Sequence, residues 1–381
     1  MRRILPVVVL GICLCTITKP GYAQSTALQR DTVTRLLRLS EDDDFINIWG
    51  TGSDDAYTNG IRIDYFYKPS HPPFFLDRWM PHAGDNSIDI YGWGAMQLMY
   101  TPDDISNPDY QPDDYPWSGA LVATHTLYSY NPAKQYDLQT ELVLGVIGPA
   151  ALDAQTQSLV HRIIHYYHPM GWSHQYRNDL LVNINFTAEK QLFSAGSFLT
   201  VIGGGQLSAG TMQNSATVYP LLLIGKKDPY FNGFLGQFTS PGREKGRKRW
   251  QAYLFAKPEM QLFITNALLQ GGLFTGNPNL QPQKASAKEP ADVNNGWVPG
   301  TAALTWATSE PAPSTGASAS ATQQSAPQPY HPLQRWVGAF SYGAIASYGH
   351  MGISFSQNTS AATLKGLYCH SYGNISLYYG W

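Results

Sequence analysis

"GNISLYYGW", residues 373–381, forms the last nine residues of the sequence. Ile375, Leu377, Tyr379 and Trp381 alternate with Asn374, Ser376 and Tyr378. Successive side chains of a strand point to opposite faces, so the segment reads as a strand with one greasy face, one wetter face and an aromatic end. Bacterial outer-membrane barrels often finish in such a strand, and in lipid only helices and closed barrels satisfy every backbone group.

The same period of two recurs upstream. In "LVNINFTAEK", residues 181–190, Val182, Ile184, Phe186 and Ala188 interleave with Asn183, Asn185, Thr187 and Glu189. "GIRIDYFYK" (60–68) and "YDLQTELVLGV" (136–146) alternate in the same way. Between 60–68 and 371–381 there are twelve candidate strands, counting the run 248–274 as two divided at Pro258. An even number suits a barrel whose ends meet. The composition agrees: 24 Tyr, 10 Trp and 35 Gly with 14% charged residues fit strands carrying aromatic belts and no helical class. The expected fold is therefore all-β, a transmembrane antiparallel barrel of about twelve strands. A soluble sandwich, in which the greasy faces meet each other, is the rival.

Residues 1–23 read as a secretory signal peptide: Arg2 and Arg3, the apolar run "ILPVVVLGICLCTI", then small residues before a cut after Ala23. That leaves 24–381 as the barrel domain, with Cys369 as its one cysteine, which excludes a disulfide framework in the monomer. Losing Arg2, Arg3 and Lys19 leaves 22 basic against 27 acidic residues, a net charge of −5. Nucleic-acid binding, which needs a basic face, gets no support. "PAPSTGASASATQQSAPQP" (311–329) is low complexity, and a disordered loop insertion is expected near 280–330.

One stretch breaks the period. "AALDAQTQSLVHRIIHYYH", 150–168, predicts a short loop helix near 153–168 with Gln157, His161, His165 and His168 on one face and Pro169 ending it. Three readings stay open for this stripe. It could ligate zinc, but Arg162 stands beside the first histidine, where zinc proteases carry a glutamate. It could be an inert solvated face. Or one histidine could be a general base acting on water, because no G-x-S-x-G serine elbow is present. Upstream, "SEDDDFINIWGTGSDDAYTNG" (40–60) offers oxygen ligands for a hard cation, or is a solvated acidic loop.

Taken in order, "EDDDF", "DDAYTNGIRIDYFY", "QLMYTPDD", "DYPWSG", "GVIGPAAL", "QSLVHRIIH", "GWSHQ" and "GNISLYYGW" resemble the LpxR-type outer-membrane lipid A 3′-O-deacylases. The resemblance implies a twelve-stranded barrel in the outer membrane. It also implies calcium-dependent hydrolysis of the ester that holds the 3′-acyloxyacyl group of lipid A, with lipopolysaccharide as the partner; no protein partner is implied. Carried over by motif, His161 is the base that activates water, Gln157 helps to position the site and Thr58 lines the pocket. The family's Asn-Asp pair falls on Asp43-Asp44, which makes Asp44 the calcium carboxylate and Asp43 a departure from asparagine. A second register puts Asn47 in the asparagine's place and leaves Ile48 where the acid belongs. Tyr167 stands near where some members carry an acid. Arg162 could meet a lipid A phosphate or pair with a carboxylate such as Asp179. Trp172 reads as an interface anchor or a packing residue, and His165 and His168 as stripe residues facing headgroups or water. The rival functions are an outer-membrane phospholipase and a non-catalytic structural or channel barrel.

Overall fold

The structure, a computed structural model, describes residues 33–48, 56–233, 237–240, 249–275 and 331–381. The expected signal segment 1–23 and the expected insertion near 280–330 lie outside them. Twelve strands form one closed barrel: β1 (Arg35–Asp43), β2 (Ala56–Tyr67), β3 (Ile88–Thr101), β4 (Ser118–Asn131), β5 (Tyr136–Ile147), β6 (Asp179–Ala195), β7 (Leu199–Gly210), β8 (Gln213–Lys226), β9 (Trp250–Asn266), β10 (Trp336–Tyr348), β11 (Met351–Ser360) and β12 (His370–Gly380). Each strand runs antiparallel to its neighbours in sequence order, and β1 closes the ring on β12, with Leu37 opposite Tyr379 and Asp43 opposite Gly373.

Alternation decides what each face meets. Leu39, Ile63, Val182, Ile184, Leu254, Ile353 and Leu377 are exposed on the outer wall. Such a band is costly in water and favourable in lipid, so this is the outer surface of a membrane barrel and not half of a soluble sandwich. The inward positions carry charge. Arg38 and Arg62 both reach Asp64, at 2.6 and 2.9 Å, and Arg62 reaches Glu141 at 2.6 Å. A lumen cavity of about 410 Å³ lies beside them, walled in part by Ser40, Asp42, Ser376 and Tyr378.

The two ends differ. The short turns 132–135, 196–198 and 349–350 gather at the end where Trp381 returns its N–H to the Arg35 carbonyl at 3.0 Å. There Trp381 stacks on Tyr65 and Tyr379, with ring centroids 6.0 and 5.6 Å away, as part of an aromatic belt. The connections 102–117 and 148–178 stand at the other end, while the connection 68–87 shares the end of Trp381.

Two sequence expectations need correction, although the strand count stands. The first strand is β1, which lies upstream of the first candidate at 60–68 and takes up the beginning of the acidic stretch 40–60. The run 248–274 contains a single strand, β9, that passes through Pro258. Pro258 keeps its pairing with Phe340 of β10, while the β8–β9 ladder lapses between Val218–Met260 and Leu222–Ala256. That register sets Pro220 opposite Pro258. The two residues that lack an N–H face each other, so the gap costs the sheet no further donor.

Candidate active site

The loop helix, α1 (Asp153–Ile164), lies against the outer wall of the barrel at the end away from Trp381. Gly119, on the outward face of β4, admits it: a Cβ there would collide with the Asp153 carboxyl. Gln97 of β3 donates to the Ala151 carbonyl at 2.7 Å, and Ala154 packs on Met99, Ile105, Trp117 and Trp172. The helix is shorter than the expected 153–168. His165 turns left-handed (φ 57°) and donates its N–H to the His161 carbonyl, so the helix stops four residues before Pro169. His165 therefore leaves the stripe and, like His168, is exposed.

The polarity of α1 is inverted. Its buried residues are Asp153, Gln157 and His161, while Leu159, Val160, Ile163 and Ile164 are exposed. A helix at a protein–water boundary buries its apolar face; one at a protein–lipid boundary can do the reverse.

Two contacts fix the polar face. His161 Nδ1 lies 2.6 Å from the Tyr167 carbonyl oxygen. A carbonyl only accepts, so Nδ1 is the donor, and in the neutral ring Nε2 is the nitrogen able to act as a base. Trp172 Nε1 donates to Gln157 Oε1 at 2.7 Å, and its ring meets Trp117 edge-on at 4.9 Å. Trp172 is thus a buried packing and orienting residue, not an interface anchor.

Thr58 is the extra residue of a bulge on β2 between Tyr57 and Asn59, a local break that turns its side chain toward Thr101. Its Oγ1 is 2.6 Å from Thr101 Oγ1, and its carbonyl accepts the Asp44 N–H at 3.3 Å. Thr101 lies two residues from Met99 on the same face of β3, and Met99 packs with Trp172. Thr58 therefore lies on the outward side of the wall, the side that also carries α1, with the Asp44 main chain hydrogen-bonded to it. At the end of β1, Asn59 Nδ2 donates to Glu41 Oε1 at 2.6 Å and to Asp43 Oδ2 at 3.5 Å, while Asp43 Oδ1 accepts the Phe45 N–H at 2.7 Å. Glu41, Asp43, Asp44 and the Thr58 carbonyl present only oxygen, the donor chemistry that suits calcium. Among the described residues no three His, Cys, Asp or Glu side chains stand close enough to hold a metal by themselves, so main-chain or water oxygens would have to complete a shell. The zinc reading fares worse, because His165 has left the helix face.

Asn47 is occupied elsewhere: its Nδ2 donates to the Ser371 carbonyl at 2.9 Å, and Gln357 Nε2 donates to its Oδ1 at 2.5 Å. Arg162 is exposed on the side of α1 away from the wall and makes no ion pair among the described residues. Asp179 instead accepts the N–H groups of Leu180, Phe274 and Thr275 at 2.7, 2.7 and 2.8 Å. Sequence reasoning missed Asp153, although it lies one helical turn before Gln157. It also missed the Tyr167 carbonyl, which carries no side-chain signal.

The description "Outer membrane protein LpxR" belongs to a family that matches residues 9–309. Among solved structures, LpxR from Salmonella typhimurium aligns with a TM-score of 0.62 at 15% identity, over 91% of this chain and all of that one (100%). The beta domain of the Bordetella autotransporter Brka aligns with a TM-score of 0.37 at 8% identity, over 92% of this chain and 99% of that one. No curated protein matches the sequence.

Proposed function

Because the chain belongs to the LpxR family of outer membrane proteins, we propose that it is a lipid A deacylase that hydrolyses the ester holding the 3′-acyloxyacyl group, with calcium as cofactor. The observation that carries the reading is the inverted helix. A histidine with a basic Nε2 lies on its barrel side, directly beneath an apolar face that suits acyl chains. A carboxylic ester whose acyl chain lies in the leaflet can meet that base without leaving the membrane.

In this mechanism His161 Nε2 takes a proton from water, and the resulting hydroxide attacks the ester carbonyl. The Tyr167 carbonyl stabilises the imidazolium that forms, because it accepts from Nδ1 throughout. His161 then returns the proton to the departing sugar hydroxyl. Gln157, held at Oε1 by Trp172, keeps Nε2 buried, without a partner among the described residues, and available to donate to the oxyanion. Thr58 lines the pocket from β2. Calcium held by Asp44 and Asp43 would supply a fixed positive charge near the carbonyl oxygen. Arg162, exposed on α1, suits a lipid A phosphate.

The test is mass spectrometry of lipid A incubated with the detergent-solubilised protein, with calcium or a chelator, beside His161→Ala. Loss of one acyloxyacyl unit that requires both calcium and His161 supports the reading. Fatty acid released from glycerophospholipid but not from lipid A moves it to a phospholipase, and no hydrolysis of either lipid to a non-catalytic barrel.

A further inference from the structure

The buried stripe of α1 begins one turn before the residues that the mechanism uses. Asp153 is 1% exposed, and neither carboxyl oxygen has a hydrogen-bond partner among the described residues. An acid in the first turn of a helix ordinarily stays charged, with the helix amides and dipole in its favour. This one is pressed sideways against Gly119, so closely that any Cβ at that position would collide with it.

We propose that Asp153 is a positioning residue: packed uncharged on Gly119, it seats the first turn of α1 on the barrel wall and so sets Gln157 and His161 for the hydrolysis proposed above. The inference rests on that reading for its consequence, but not for its geometry. Asp153, Gln157 and His161 occupy successive turns of one face, so lifting the first turn displaces the other two. Asp153 itself meets Gly119 of β4; around its turn, Gln97 of β3 donates to the Ala151 carbonyl, Met99 of β3 and Trp117 just before β4 pack with Ala154, and Gln157 and His161 follow on its own helix. Of these only His161 carries an ionisable side chain; Arg162 and Arg177 are exposed.

A carboxylate at this place has no counter-charge and must be hydrated, which the contact with Gly119 forbids. Burial accordingly pushes the Asp153 carboxyl up to about 8. Above that pH the first turn leaves the wall in order to reach water.

The experiment compares the wild type with Asp153→Asn in detergent at pH 6.5 and pH 9. It measures lipid A deacylation over an H161A blank and hydrogen exchange of residues 153–164 corrected for the chemical rate. In the wild type, activity at pH 9 should fall to about a tenth of its pH 6.5 value, as expected for a group titrating near 8, with faster exchange across α1. In D153N activity at pH 9 should be no lower than at pH 6.5 and the exchange should not change. Identical pH ratios and identical α1 exchange in the two proteins overturn the proposal. If neither protein hydrolyses lipid A but α1 still loosens at pH 9 in the wild type alone, the seating role of Asp153 stands and the deacylase reading falls.

Discussion

His161 is held at Nδ1 by the Tyr167 carbonyl and Gln157 at Oε1 by Trp172, the orienting contacts that a base and an oxyanion donor need. Replacing His161 by alanine should lower turnover by on the order of 10²–10⁴-fold while the barrel still folds, measured as deacylation rate beside heat-modifiable gel mobility. A serine-directed covalent inhibitor should label nothing, since water is the nucleophile. Trp172→Phe keeps the ring but removes the donor to Gln157 Oε1. A lost hydrogen bond of this kind costs about 1–2 kcal/mol, so kcat should fall about tenfold with little change in KM. Gln157 and His161 were legible in the sequence because helical spacing shows them. The partners that fix them were not: Trp172 lies fifteen residues from Gln157 across a reversal of the chain, and Tyr167 acts through its main chain.

At the scale of the element, α1 reads correctly only when lipid is taken as the solvent. Ile163→Asp puts a charge on its exposed apolar face, a change that costs between about 1 and 3 kcal/mol depending on depth in the bilayer. We expect faster hydrogen exchange over residues 153–164 and reduced deacylation, with exchange of the barrel strands unchanged. The strands were legible wherever one face stayed apolar along the whole span. β1 escaped because its outward face changes partway, from Leu37 and Leu39 to Glu41 and Asp43. β9 was divided because a proline normally ends a strand, and only the opposing Pro220, 38 residues earlier in the sequence, makes the exception affordable. The two errors offset each other in the strand count, which was right for a partly wrong reason.

For the whole molecule, closure makes the lumen a shared electrostatic space. Asp64 receives both Arg38 and Arg62. Asp64→Asn leaves two guanidinium groups on one neutral side chain and should destabilise the barrel by on the order of 3 kcal/mol, a figure discounted from a fully buried pair because both arginines keep some solvent. A lower urea midpoint of the refolded protein checks it, and raised salt should recover part of the loss. The outward placement of α1 has a consequence of another kind. A site that opens sideways meets its ester by travel in two dimensions, so the relevant concentration is the mole fraction of lipid A in the surface and not its molarity in the tube. Adding inert detergent at constant total lipid A should therefore slow the reaction by surface dilution, whereas doubling the micelles at fixed composition should leave the rate per enzyme unchanged.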